Sequence, residues 1–202
     1  MRLLTFRNIG FRPLPDVWEE MKKFTDERNR KTQDEVWLVE HPPIYTLGLN
    51  SNPDHVLEAS NIPILKIDRG GQVTYHGPGQ LIAYVMLDLH RSRSSIRSIV
   101  EALEAAVIRT VSVYGIEAQG RRDAPGVYVG DKKLAAIGLR VRRHCTYHGL
   151  AVNVNMDLTP YERINPCGFE GLEVVQLSDL CHGIDISRVR KDLEMMLRAS
   201  LS

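Results

Sequence analysis

Apolar positions change their spacing several times along the chain, and each change marks an element. Residues 2 to 7 read as a short strand. Asp16 followed by Glu19 has the form of a capping box, and Val17, Met21 and Phe24 share one helical face, so a helix is expected to about Arg30. "EVWLVEH" (35–41) reads as a buried strand ended by Pro42 and Pro43, with "IYTLG" continuing it after a bend. "PILKID" (63–68) leads into a glycine-rich stretch, and "QLIAYVMLDL" (80–89) is a long apolar strand. Residues 95–115 form the clearest helix: Ile96, Ile99, Val100, Leu103, Val107 and Val111 make one stripe. Ser98 and Glu101 are spaced for capping contacts, and Gly115 sits at the C-terminal cap. "GVYVGDKKLAAIGLRV" (126–141) predicts a hairpin with Gly130-Asp131 at its tip. "YHGLAVNVNMDL" (147–158) is a further strand, alternating from Leu150, and a last helix starts near Ser187 with Val189, Leu193 and Leu197 inward. Strands gather around two main helices without a steady β-α-β rhythm. The expected fold class is α+β with a mixed or antiparallel sheet, in one domain over 1–202.

Composition narrows the partners. Charged residues make up 25% and the formal net charge is +1, too balanced for an electrostatic nucleic-acid binder. The opening "MRLLTFRNIG" lacks the apolar run of a signal peptide, and no stretch approaches a membrane span. Cys145, Cys167 and Cys181 are odd in number, which fits reduced thiols in a cytoplasm better than a disulfide scaffold. No nucleic acid, no membrane and a cytoplasmic location are therefore the expectations.

Nucleotide motifs fail on spacing: "GPGQL" is no dinucleotide fingerprint, and "GVYVGDKK" lacks the ending of a phosphate loop. Cys145 with His148, or Cys181 beside His182, gives half a zinc site with no second pair, so no metal and no cofactor are expected. Cys167, between Pro166 and Gly168, is either a thiol lifted out of regular structure by a turn or a small buried hydrophobe. A nucleophilic thiolate needs a positive neighbour or a base, and His76, His148, Lys132 and Lys133 are the candidates. Alternation puts Lys133 on the face of Ala135 and Ile137, where an amine sheds its proton more readily; a snorkelling strand-end lysine is the plainer reading.

Five segments in order, "EHPPIYTLG", "RGGQVTYHGPGQL", "KKLAAIGLRV", "YHGLAVNVNMDL" and "INPCGFEG", span residues 40 to 171, and together they resemble the lipoyl(octanoyl) transferases. The resemblance implies a fold like the catalytic domain of biotin and lipoate protein ligases. It implies transfer of octanoyl from octanoyl-acyl carrier protein to a lysine of lipoyl domains, those of 2-oxoacid dehydrogenase E2 subunits and the glycine-cleavage H protein. It further implies an acyl-cysteine on Cys167, with Lys133 as the lysine preceding the Leu-x-x-Ile-Gly run. The acyl-binding residues it implies are Arg69, Gly70, Gly71, Gln72, Val73, Thr74, Tyr75 and His76, then Ala136, Ile137 and Gly138. His148, Gly149, Leu150 and Ala151 complete the set; His76 and His148 are expected either to orient the pair or hold substrate, or to make structural hydrogen bonds.

Under that resemblance the glycines admit a thin acyl chain, and backbone N–H groups near Cys167 or along 136–138 face the oxyanion. The arginines of 91–97, 121–123 and 140–143 are candidates for docking an acidic carrier protein. Three rivals stay open: an ATP-dependent lipoate-protein ligase, a non-catalytic binding module for acyl carrier or lipoyl domains, and a thiol hydrolase.

Overall fold

The computed structural model describes residues 4–58 and 61–201. In chain order the elements are β1 (Leu4–Phe11), α1 (Leu14–Glu27), β2 (Asp34–Glu40), β3 (Ile44–Leu47), β4 (Ile64–Lys66), β5 (Thr74–His76) and β6 (Gln80–Met86). Then come α2 (Leu89–Ser92), α3 (Ile96–Ser112), β7 (Gln119–Gly120), β8 (Gly126–Val129), β9 (Lys132–Arg142), β10 (Cys145–Asn153), α4 (Leu177–Leu180) and α5 (Ile186–Leu201). Seven strands form the main sheet in the order β1-β2-β6-β10-β9-β8-β7, and β4-β3-β5 make a second, smaller one. β1 runs parallel to β2 and the other neighbours in the main sheet are antiparallel, so the fold is α+β with mixed sheets.

Period-two alternation assigns the two faces of the main sheet. Val36, Leu38, Leu81, Ala83, Val85, Leu150 and Val152 face the pair α3 and α5. Trp37, Val39, Ile82, Tyr84, Met86, Tyr147 and Ala151 face α1, whose Val17 and Met21 are fully buried against them. Both faces are covered, so all nine residues of β10 are buried and its polar positions are used internally. Asn153, for example, donates to the Val175 carbonyl and accepts from Gln80.

Several boundaries differ from the sequence reading. Helix α1 starts at Leu14 behind Pro13, without a side-chain cap, rather than at an Asp16–Glu19 box. It stops at Glu27 because Arg28 turns away to reach Asp34 and the Met86 carbonyl. At α3 the box is Ser95 with Ser98; Glu101 instead pairs with Arg97. Pro42 and Pro43 do not bend one strand but separate two sheets, since β3 pairs with β4 and β5. Residues 2 and 3 of the first expected strand lie outside the described residues, and β1 continues past it to Phe11. The 126–141 hairpin forms around Gly130-Asp131 as expected.

Close strand packing fixes one glycine. A Cβ on Gly149 would lie 1.9 Å from the Ala83 carbonyl oxygen in the neighbouring strand, where only backbone could yield. Gly149→Ala is expected to destabilise by about 1–3 kcal/mol. Calorimetry should show a melting temperature lower by roughly 2–12 °C, at about 2–4 °C per kcal/mol for a chain of this size.

Candidate active site

Across the three central strands the face-two residues form two rows. Ile82, Ala151 and Ala136 make one, and Tyr84, Gly149 and Gly138 the other. Small residues on β9 and β10 therefore floor a trough, with Ile82 and Tyr84 as its wall. The segment 67–74 and His76 roof it; His148 and Cys167 also line it. It encloses about 60 Å³. By the measure in which one water needs ~10–15 Å³, that is room for a file of about four to six waters.

At one end of the trough, Lys133 Nζ donates to Cys167 Sγ at 3.0 Å. Lys133 is only 4% exposed, and its ammonium also sits 5.2 Å from the Tyr128 ring centroid. Its backbone is clamped on both sides: its N–H donates to the Glu173 carbonyl and its carbonyl accepts from Val175 N–H. Gly126 leaves space for the stem, since a Cβ there would meet Lys133 Cε at 2.6 Å. Burial alone would strip the amine of its proton, but the Cys167 charge and hydrogen bond outweigh it and the pKa is raised. The expectation from sequence, an amine that sheds its proton readily, thus gives way to a charged one. Lys132 points away and pairs with Glu173 at 2.7 Å.

Cys167 sits on a single 3-10 turn, Pro166–Gly168, with φ 58° and ψ 14°. A non-glycine residue there costs ~1–3 kcal/mol, a strain characteristic of functional turns. The turn is pinned by the Cys167 N–H, which donates to the Val73 carbonyl, and by the Gly168 N–H, which donates to Asn165. Those two N–H groups are thus already engaged, which bears on the first of the two expected sets of oxyanion donors and leaves the second, along 136–138, as it stood.

The remaining expected residues fall into three groups. Gly70, Gly71, Gln72, Val73, Thr74, Ala136, Ile137, Gly138, Gly149, Leu150 and Ala151 line the trough. Gly70 and Gly138 also admit the chain's own backbone: Gly70 N–H donates to the Leu139 carbonyl, and a Cβ on Gly138 would lie 2.9 Å from the Gly70 oxygen. The polar residues Arg69, His76 and His148 line it too, but their polar atoms turn inward. Arg69 Nη2 donates to the Thr46 carbonyl at 2.7 Å, and burial lowers its pKa to about 10. His76 Nδ1 meets Gln80 Oε1 at 2.7 Å, and burial pushes its pKa down to about 3. Tyr75 does not line the trough; its ring packs between Tyr45 and Tyr161.

Sequence reasoning missed the polar girdle behind these groups. His148 has φ 60°, which brings its ring onto the side of Tyr147, the two stacked at 4.9 Å. Both rings bond the Asp68 carboxylate, as does Trp18 Nε1 at 2.8 Å. His41 Nδ1 meets the Arg12 carbonyl at 2.6 Å, so that nitrogen carries the proton and Nε2 accepts from Tyr84 O–H at 2.7 Å. A charge ending the strand before "RGG" was the available signal for Asp68; Tyr84, inside an apolar run, gave none.

Of the three arginine clusters, members are already partnered within the chain. Arg142 pairs with Asp26, Arg97 with Glu101 and Arg121 with Asp131. Among the described residues no group of three or more His, Cys, Asp or Glu could hold a metal ion, and no helix is long and apolar enough to cross a membrane.

The same architecture recurs in solved structures. A bi-partite lipoate protein ligase from Thermoplasma acidophilum superposes with TM-score 0.76 at 17% identity, over 100% of this chain and 84% of its own. The biotin protein ligase of Aquifex aeolicus gives 0.58 at 11% identity, over 100% and 70%. The fold is that of the lipoate and biotin protein ligase catalytic domains. In sequence, residues 15–197 match the lipoyl protein ligase A/B catalytic domain. The octanoyltransferase of Pseudomonas syringae pv. syringae (strain B728a) is 50% identical over 194 residues, 96% of this chain and 89% of its own. That of Aliivibrio fischeri (strain ATCC 700601 / ES114) is 54% identical over 177 residues, 88% and 79%. The chain belongs to the lipoyl protein ligase A/B catalytic family and, within it, to the octanoyltransferases; it is an acyltransferase.

The buried histidines set a pH dependence of stability. Burial depresses His41 to about 4 and His76 to about 3, so both stay neutral in the fold while the unfolded chain takes up protons below ~6.5. Stability present above that value is lost as pH falls toward the folded pKa values. Between pH 7 and pH 5 each histidine removes about 2 kcal/mol. Urea midpoints across that range should fall accordingly, and His41→Gln should remove about half of what His41 and His76 together contribute to the slope.

Proposed function

We propose that the chain, as one catalytic domain, moves an octanoyl group from the thioester of acyl carrier protein to a lysine of a lipoyl domain, through an acyl thioester on Cys167. The observation that carries this reading is the 3.0 Å contact between Lys133 Nζ and Cys167 Sγ, beside a trough of about 60 Å³ floored by Ala136, Gly138, Gly149 and Ala151. The octanoyltransferase relatives support the octanoyl group, and the ligase with its E2 lipoyl domain supports a lipoyl-domain acceptor.

The steps follow from proton placement. Lys133 enters the reaction protonated, and Cys167 reacts as its thiolate. The sulfur attacks the donor carbonyl, the old carbon–sulfur bond breaks, and the departing carrier thiolate takes the proton from Lys133. Lys133 is then a neutral base. It accepts the proton from the acceptor amine as that nitrogen attacks the acyl-cysteine, and expelling the Cys167 thiolate restores the starting pair. Exchanging thioesters is nearly thermoneutral and forming the amide is downhill, so no nucleotide is needed. The free thiols of Cys145, Cys167 and Cys181 suit a reducing cytoplasm.

Intact-protein mass after mixing with octanoyl-acyl carrier protein, without ATP, checks the route. One octanoyl adduct is expected on the wild type, none on Cys167→Ser, and loading slower by at least tenfold on Lys133→Ala. An unlabelled wild type that becomes active only with octanoate and ATP would make the protein a ligase; an adduct shed as free octanoate would make it a hydrolase.

The trough also supports a length preference. Each buried methylene contributes ~0.8 kcal/mol, about fourfold in binding. Tyr84, held by His41, forms part of its wall. Tyr84→Ala should raise the decanoyl-to-octanoyl ratio of Cys167 loading rates by tenfold or more. A parallel fall for both chains would remove Tyr84 from specificity.

A further inference from the structure

Cys167 lines a second cavity besides the trough. It is an open groove of about 400 Å³ lined by Ile96 and Val100 of α3, Asp123, Ala124 and Pro125, Ile137 and Leu139 of β9, and Phe169. Lys133 borders this groove and does not border the trough. The reason is topological. β8 pairs with β9 only as far as Ala136, and beyond it Gly70 caps the β9 edge through the Leu139 carbonyl. The trough uses the sheet face that carries Ala136 and Gly138. The groove takes Ile137 and Leu139 from the opposite face, toward α3, and the two cavities meet along Gly70, Gly71, Ile137, Gly138 and Cys167, which line both. Cys167 is reached from both.

We propose that this groove is the entry for the acceptor's lysine side chain, and that Asp123 attracts its ammonium to the rim, where it sheds one proton to solvent before the neutral amine passes inward to Cys167. The inference rests on the acyl-cysteine reading above. With the acyl chain in the trough, an incoming amine must meet the acyl carbon on the side where a base can take its proton, and that base is Lys133. A lysine side chain is four methylenes ended by a cation. The groove offers Ile96, Val100, Pro125, Leu139 and Phe169 to the methylenes of the seated side chain, and at its rim a carboxylate that meets the cation on the way in. Ile96 is 49% exposed and Phe169 44%, although both are large and apolar. Asp123 is exposed and enters no ion pair among the described residues. An anionic phosphopantetheine arm would meet Asp123 with like charge, so charge favours the acceptor over the donor.

The test separates the half-reactions. Wild type, Ile96→Trp and Asp123→Lys are loaded with octanoyl from a small thioester, octanoyl-N-acetylcysteamine. The isolated acyl-enzymes are then discharged by a lipoyl domain or by hydroxylamine, which is too small to need the groove. Both variants should discharge to hydroxylamine at the wild-type rate and to the lipoyl domain at least tenfold more slowly. Two results would overturn the assignment: equal discharge to the domain, or equal slowing with both nucleophiles. Slowed loading from octanoyl-acyl carrier protein with unaltered discharge would assign the groove to the donor's arm instead. A wild type that never loads would strike at the acyl-cysteine reading itself.

Discussion

A buried ammonium beside a thiol sulfur is the contact around which this molecule is arranged. Taking Lys133 to 4% exposure is costly for a cation unless a hydrogen-bond partner is in place, and Cys167 Sγ accepts from it at 3.0 Å. Neither residue could hold its position alone. Lys133 lies at the start of β9, fixed by the 173–175 segment alongside it, while Cys167 rides on a strained turn hung from the Val73 carbonyl. The contact therefore ties a strand, an irregular edge segment, a turn and the roof of the trough to one point. The strain at Cys167 is sustained by the same bonds that orient it, and the Glu173 and Val175 bonds hold the lysine backbone in place.

That point lies at a break in the sheet, and the break explains how one sulfur serves two cavities. Were β8 as long as β9, the edge beyond Ala136 would be paired and Gly70 could not reach Leu139. The short β8 leaves an edge for the 69–71 loop to cross, which is why glycine occurs on both sides of the crossing, at 70 and at 138. The glycine-rich stretch thus has two functions in this architecture. It brings the roof down onto the strand, and it keeps the resulting trough narrow.

Much of this was legible in the chain because local pattern and tertiary role agree. The stripe from Ile99 to Val111 is helical and packs as a helix, and the turn at Gly130-Asp131 closes the hairpin the alternation implies. The α+β class, the octanoyltransferase resemblance and the ligase-like fold follow from such segments. What stayed hidden depends on partners distant in sequence. Tyr84 reads as one more apolar strand position until His41, 43 residues away, fixes its hydroxyl. Asp68 reads as a strand-end charge until Trp18, Tyr147 and His148 converge on it. β3 looks like a continuation of β2 because proline signals a bend without saying how far the chain travels afterwards.

The hidden polar girdle bears on why acyl transfer, rather than hydrolysis, suits this site. A trough lined by Arg69, His76, Tyr84 and His148 looks ill-made for an alkyl chain, yet each polar end is engaged elsewhere. Arg69 is spent on Thr46, His76 on Gln80, Tyr84 on His41 and His148 on Asp68. What these residues offer the trough is carbon: ring faces, ring edges and methylene stems. Burial keeps His76 neutral, so no imidazolium attracts water toward the thioester. Neither imidazole has a route to the sulfur through its bonded nitrogen. Among the described residues the basic group in contact with Cys167 Sγ is Lys133, and Lys133 opens on the groove rather than on the trough. Lys133 also borders a small pocket with Thr74, Ala136 and Cys167, but the open approach to it is the groove, so it activates the nucleophile that the groove selects. On this reading, the apolar walls of the groove give an amine on a methylene stem contacts that water cannot make.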